Sequence, residues 1–298
     1  MTSGRKLAFF GNERLVSGLA HTDAPILTSL ITAGYEICAV VVNEAGTTSR
    51  NKKVLEVAEV ASAHNIPVLS PKKPLDIYDQ LAAFHADAGI LVAYGRIVPQ
   101  KLIDLFPFGI INIHPSLLPK YRGPSPIESA IANGDETTGV SIMSLSAAMD
   151  AGPVYHQVTV HLSGTETAPH LAATLTNLAA SELIATLPNI FVGTLTPEPQ
   201  NDANATYCQL IQKVDAWLRP TEQTAEQAER LVRAYSAYPK ARITLLGHDV
   251  LIHQAHVEES SDSPVTIKFT SGYLVIDELT APNGKRMPGE AFLKGYAK

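Results

Sequence analysis

The sequence has few cysteines and no long apolar run. Both absences limit the classes of protein to which it can belong. Only Cys38 and Cys208 occur among the 298 residues, far apart in the chain, so neither a disulfide framework nor a multi-cysteine zinc site is available. The longest uninterrupted apolar run, residues 37–42, is much shorter than the roughly 20 residues that a membrane-spanning helix needs. Residues 7–10 are too few for the apolar segment of a secretory signal. We therefore expect a cytoplasmic protein that is not attached to a membrane.

Positive charge is also scarce. The chain has 23 Lys and Arg against 29 Asp and Glu, a net charge of −6. Residues 1–205 hold 12 basic and 18 acidic side chains, whereas residues 206–298 hold 11 of each. Because strong nucleic-acid binders concentrate positive charge on one face, we expect no DNA partner, and any RNA partner would have to be held by local contacts.

The common nucleotide and metal motifs are missing. Gly11 follows the first apolar segment alone, without a Gly-x-Gly-x-x-Gly or Walker-type loop, which disfavours dinucleotides and nucleoside triphosphates. His248, His253 and His256 lie on a turn and an alternating strand without the helical spacing of zinc ligands. We expect no metal site.

What the sequence does contain is a regular alternation of strand and helix patterns. Short apolar runs predict strands, some of them buried on both faces, and the segments between them show helical periodicity. The predicted strands are 6–10, 37–42, 67–69, 88–93, 109–113, 139–145 and 154–162, and the predicted helices are 24–33, 54–64, 75–84, 99–105 and 165–187. This pattern predicts an α/β domain with a Rossmann-like, open, mostly parallel sheet and helices on both faces.

The last third of the chain has a different pattern. Residues 193–205 contain two prolines and several small polar residues, which is typical of a linker, and we place the domain boundary there. A helix over 221–235 is followed by predicted strands at 241–246, 249–256, 265–269 and 273–279. Such evenly spaced short strands predict a small OB-like β-barrel. The predicted units are a catalytic domain, 1–192, the linker, and a barrel domain, 206–298.

Polar side chains follow the strands of the first domain where ligands of open α/β sheets bind. Asn112 and His114 are two residues apart at the end of a strand, so both point to one face, and Asp150 lies in a loop after another strand. An amide and a protonated imidazole can stabilise an oxyanion while a carboxylate orients the imidazole, which suits acyl transfer to an external amine. From spacing alone, a structural histidine and an ordinary turn are the more common interpretations.

Two motifs resemble those of a known family. Residues 112–124, NIHPSLLPKYRGP, resemble the signature of the folate-dependent formyltransferases, and residues 149–153, MDAGP, resemble the second motif of that family. The resemblance implies Asn112, His114 and Asp150 as catalytic residues and 10-formyltetrahydrofolate as the formyl donor. It also implies that two stretches hold the folate: Ser116, Leu117, Leu118 and Pro119, and, around the pterin, Leu91, Val92, Tyr94 and Gly95.

The formyl acceptor is implied by the last part of the chain, residues 206–298, which we call the tail. The same catalytic half serves methionyl-tRNA, glycinamide ribonucleotide and amino-sugar nucleotides. Residues 279–287 and 292–295 are similar to the carboxyl end of methionyl-tRNA formyltransferases, and 232–239 resemble the opening of their barrel. This implies initiator methionyl-tRNA as the partner, contacted by basic residues at Arg50, Lys52, Lys53, Lys285 and Arg286.

Other interpretations stay open. The basic residues of the two loops could equally be solvated surface charges. The near-neutral tail would also fit an N-formyltransferase acting on an amino-sugar nucleotide. A folate-binding protein without catalysis is disfavoured because Asn112, His114 and Asp150 are all present.

Overall fold

The computed structural model describes residues 4–19, 22–43, 55–261, 263 and 265–297. Arg50, Lys52 and Lys53 lie outside the described residues. The first sheet has the strand order β3-β2-β1-β4-β5-β6-β7, parallel from β3 to β5 and antiparallel for the last two strands. Its strands are β1 (Lys6–Gly11), β2 (Glu36–Val41), β3 (Val68–Leu69), β4 (Ala88–Val92), β5 (Ile110–His114), β6 (Thr137–Ser144) and β7 (Val154–His161).

Helices cover this sheet on both faces, which confirms the predicted fold class. They are α1 (Pro25–Thr32), α2 (Glu56–Ala63), α3 (Tyr78–Phe84), α4 (Gln100–Ile103), α5 (Pro126–Asn133) and α6 (Ala168–Phe191). In β1, Leu7 and Phe9 join the core under α1 and α6, while Ala8 and Phe10 join the core under α3 and α4. Because both faces of β1 are buried, its sequence is continuously apolar rather than alternating.

The second sheet is antiparallel and curled into half a barrel, as the spacing of the short strands predicts. Its strand order is β10-β11-β9-β8, with β12 paired to β11. Its elements are α7 (Ala225–Ala234), β8 (Arg242–Leu245), β9 (His248–Glu258), β10 (Thr266–Lys268), β11 (Tyr273–Thr280), β12 (Arg286–Pro288) and α8 (Gly289–Tyr296). The sequence analysis missed β12, which has only three residues and is too short to show a period. It also missed α8, because Gly289 and Gly295 weaken the helical pattern of this short segment.

The predicted helix over 221–235 starts too early. The helix begins at Ala225 because Thr224 caps it: the Thr224 hydroxyl accepts from Gln227 N, and the Gln227 side chain accepts from Thr224 N. Residues 221–223 therefore form the turn before the cap.

The segment between the two sheets runs along the first one. Glu198 and Val154 exchange two backbone hydrogen bonds of 2.8 Å, and Arg122 pairs with the backbone of residues 206 and 208. The boundaries 1–192, 193–205 and 206–298 stay a prediction. Among the described helices, none is long and apolar enough to cross a membrane.

Candidate active site

The pocket of interest lies at the carboxyl end of β5. Ile111 and Ile113 belong to the core under α6, while Asn112 and His114, each only 5% exposed, line a cavity of about 500 Å³. The cavity lies where β4 and β5 end, beside the point at which the strand order changes direction. The period of the strand therefore brings the amide and the imidazole into one pocket.

His114 is held by a backbone carbonyl. Its Nε2 lies 2.9 Å from the carbonyl oxygen of Tyr121, and because a carbonyl only accepts, Nε2 must carry the hydrogen. The other nitrogen, Nδ1, is 3.8 Å from Oδ2 of Asp150, which is too long for a hydrogen bond. The expectation that Asp150 orients the imidazole is thus not met here: the Tyr121 carbonyl orients it, and the carboxylate faces it across a short gap.

Asp150 is held by a different neighbour. Its Oδ2 accepts a hydrogen bond of 2.8 Å from the backbone N–H of Gly123. Gly123 has φ +125°, and a Cβ at this position would lie 2.2 Å from the carbonyl oxygen of Cys208, so only glycine fits. The carboxylate is 17% exposed, which leaves it open to the pocket.

The predicted pterin stretch lies mostly in this pocket. Leu91, Tyr94 and Gly95 line it, whereas Val92 is fully buried in the core and is not part of the lining. The hydroxyl of Tyr94 is buried without a hydrogen-bond partner among the described residues, and burial raises the pKa of Tyr94. The cavity has the usual size of a small-molecule site.

The predicted folate contacts at residues 116–119 lie outside the lining of this pocket. None of Ser116, Leu117, Leu118 and Pro119 lines the cavity. The hydroxyl of Ser141 donates to the carbonyl of Ser116 at 2.6 Å and accepts from the N–H of Leu118 at 3.1 Å. This turn therefore supports the loop after β5, and its contact with folate stays a prediction.

The pocket also contains residues to which the sequence analysis assigned no role. Arg14, Arg96, Met149 and Leu210 all line it. Arg96 is fixed by Asn43, whose side-chain oxygen accepts from its Nε at 2.8 Å, and Arg14 forms an ion pair of 2.7 Å with Glu56. Leu210 comes from beyond the predicted linker and belongs to no helix or strand, so no periodicity could have revealed it.

The basic residues of the tail lie on the second sheet. Lys285 is in the turn between β11 and β12, and Arg286 begins β12, where its guanidinium forms an ion pair with Glu278 on β11. Neither lines the pocket. In the part of the chain that the structure describes, no three His, Cys, Asp or Glu side chains are grouped to hold a metal ion.

Comparison with known proteins identifies the class. Residues 13–187 match the family described as formyl transferase, and residues 210–297 match the formyl transferase C-terminal domain. The chain belongs to the formyltransferase family, as the two sequence motifs predict.

Individual relatives are more specific. The chain is 39% identical to the methionyl-tRNA formyltransferase of Pseudoalteromonas translucida, over 84% of this chain and 78% of that one. It is 36% identical to the methionyl-tRNA formyltransferase of Stutzerimonas stutzeri, over 90% of each. The crystal structure of an N-formyltransferase from Helicobacter canadensis, in complex with folinic acid and dTDP-3-aminofucose, shares the fold with a TM-score of 0.66 at 16% identity, covering 95% of this chain and 97% of that one.

Proposed function

We propose that this enzyme transfers the formyl group of 10-formyltetrahydrofolate to the α-amino group of initiator methionyl-tRNA, which gives N-formylmethionyl-tRNA for translation initiation in the cytoplasm. The observation that carries the proposal is the pocket that contains Asn112, His114 and Asp150 together. The choice of acceptor is supported by the methionyl-tRNA formyltransferases at 36% and 39% identity, because the match extends into the second sheet.

The geometry supports direct transfer. The amine nitrogen bonds to the formyl carbon and the carbonyl becomes an oxyanion; the bond to N10 of the folate then breaks as that nitrogen gains a proton. The Asn112 amide donates to the oxyanion. Because Nε2 of His114 is committed to Tyr121, Nδ1 is the nitrogen that serves the reaction, either as a donor when protonated or as the acceptor of the amine proton. The Asp150 carboxylate stabilises the imidazolium from 3.8 Å.

The donor subsite follows from the pocket lining. We assign the pterin to the wall formed by Leu91, Tyr94 and Gly95, the part of the predicted stretch that lines the pocket. For Ser116, Leu117, Leu118 and Pro119, only the family resemblance supports folate contact.

The acceptor RNA is assigned to the basic residues of both halves. The resemblance supports phosphate contacts by Arg50, Lys52 and Lys53, and by Lys285 and Arg286. Because Arg286 shares its guanidinium with Glu278, Lys285 is the more available cation of the second pair. Because each phosphate that these cations neutralise releases counterions, binding of the RNA should weaken steeply as salt is added, whereas use of a sugar nucleotide should change little.

The alternative acceptor is an amino-sugar nucleotide. The shared fold with the Helicobacter canadensis enzyme and the zero net charge of residues 206–298 favour it. The identity of 16%, against 39% for the RNA-dependent relative, favours the main proposal.

One assay separates the two. Purified protein and 10-formyltetrahydrofolate are incubated with initiator methionyl-tRNA, with the same tRNA uncharged as a control, and with dTDP-3-aminofucose, at several salt concentrations. We expect formylation of the charged tRNA only, with a KM that rises with salt. Transfer to the sugar alone would overturn the assignment of methionyl-tRNA as the acceptor. Transfer to neither would overturn the proposed activity.

A further inference from the structure

Gln200 lies in the segment that the sequence predicts as a linker, yet its side chain reaches the loop of Asp150. Its amide nitrogen donates to two backbone carbonyls of that loop, to Asp150 O at 2.8 Å and to Gly152 O at 2.7 Å. The backbone pairing of Glu198 with Val154 sets this segment beside the loop. One side chain thus fastens the loop at two points.

The orientation of the Gln200 amide is fixed from the other side. Its Oε1 accepts from Nε of Arg122 at 3.0 Å and from Nη2 of Arg122 at 2.8 Å. A flipped amide would turn its NH₂ group toward a guanidinium and its oxygen toward two carbonyls, so only one orientation is satisfied. Arg122 is itself 3% exposed and forms an ion pair of 2.7 Å with Asp202.

The loop needs this support because its backbone is strained. Asp150 has φ +47°, the left-handed region that a residue with a side chain rarely adopts. Gly152 packs so closely that a Cβ would lie 1.9 Å from the carbonyl of Ser144. Asp150 is therefore held at two points. Gly123 donates to its carboxylate, and Gln200, which is itself oriented by Arg122, donates to its backbone carbonyl.

We infer that Gln200 is a positioning residue, which together with Arg122 holds the Asp150 carboxylate at its working distance from Nδ1 of His114. The inference rests on the proposed formyl transfer. Movement of the Asp150 backbone would change the 3.8 Å gap, and with it the electrostatic support of the imidazolium. Gln200 itself is not part of the lining of the pocket.

The test is the variant Gln200→Met, which keeps the length of the side chain and removes both donors. We expect kcat for formyl transfer to fall about 10- to 100-fold, because displacement of a catalytic group by about 1 Å can cost about 100-fold in rate. KM for the folate and for the RNA should change less than about threefold, and the pH dependence of kcat should shift because the charge near His114 has moved. A purely structural role would lower thermal stability without moving the pH profile.

The control is Gln80→Met, which makes the same substitution at an exposed position of α3, away from the Asp150 loop. It should retain kcat within about threefold, as exposed positions that make no special contact tolerate substitution. If Gln200→Met does not fold, Gln200→Glu decides, because it keeps the acceptor for Arg122 and loses the donors. An unchanged kcat and pH profile in the folded variant overturns the inference, whereas an inactive wild-type enzyme overturns the proposed function instead.

Discussion

One of the two ring nitrogens of His114, Nε2, is hydrogen-bonded within the protein before any substrate binds. The Tyr121 carbonyl holds Nε2, and Tyr121 is in turn fixed by its N–H to Thr206 and its hydroxyl to Asp135. This rigid support leaves Nδ1 as the reactive atom. A histidine so held is pre-organised, since no rotation of the ring is needed in the transition state.

We expect His114→Ala to lower kcat by about 10²- to 10⁴-fold, because it removes both oxyanion stabilisation and proton transfer. Folate binding should change little, as the pterin wall is untouched. Single-turnover formylation and calorimetric folate binding measure the two effects separately. His161→Ala, at the exposed end of β7, is the control; a His114→Ala variant with near-normal turnover would remove His114 from the mechanism.

At the level of elements, α1 begins without a capping side chain of its own. Its N-cap residue is Ala24, and the first free N–H groups donate instead to Glu13, from Ile26 at 2.9 Å and from Leu27 at 2.8 Å. Glu13 is 1% exposed, and burial raises its pKa to about 7 although both hydrogen bonds oppose the shift. Glu13, which follows β1, thus caps the amino end of α1 in place of a residue at the N-cap position.

The raised pKa makes stability depend on pH. Because the folded pKa of Glu13 lies above the unfolded one, the folded state holds the proton more tightly, and the stability gained below the unfolded pKa is lost as pH rises through about 7. In Glu13→Gln this loss, about 3 kcal/mol between about pH 5 and pH 8, should disappear. Urea unfolding across this range measures it.

Glu128, whose burial likewise raises its pKa to about 7, provides a second case. Glu128→Gln should show the same sign of change. Wild-type and variant curves that stay parallel across the pH range would contradict this account of both side chains.

At the scale of the whole molecule, the two sheets are connected through α5 and α7. Arg230 donates from Nε to the carbonyl of Ala132 at 3.1 Å, in the last turn of α5, and Arg233 donates from Nη1 to the carbonyl of Glu166 at 3.0 Å. A cation at a helix carboxyl end interacts favourably with the free carbonyls there. These contacts set the orientation of the tail relative to the pocket.

We expect the double variant Arg230→Ala, Arg233→Ala to raise KM for the acceptor RNA about tenfold, because an RNA that spans both halves must then restore their orientation. The folate KM and kcat at saturating RNA should stay within about twofold. A larger change would indicate that the two substitutions also disturb the packing around the pocket. Steady-state kinetics and small-angle scattering measure this. Arg219→Ala is the control, since Arg219 is exposed and forms an ion pair with Glu222 in the same half. An unchanged RNA KM would show that the orientation does not depend on these arginines.

The local pattern of the sequence determined the elements and their buried faces. Apolar runs predicted each strand of the first sheet, and the two-residue period placed Asn112 and His114 in one pocket, because burial of one face is encoded by neighbouring residues. The motifs determined the family. Tertiary structure decided the rest: that the Tyr121 carbonyl holds His114, that Gln200 supports Asp150 from 50 residues away, and that Leu210 lines the pocket. Such contacts join segments distant in sequence, and only packing of the loops decides which of them meet.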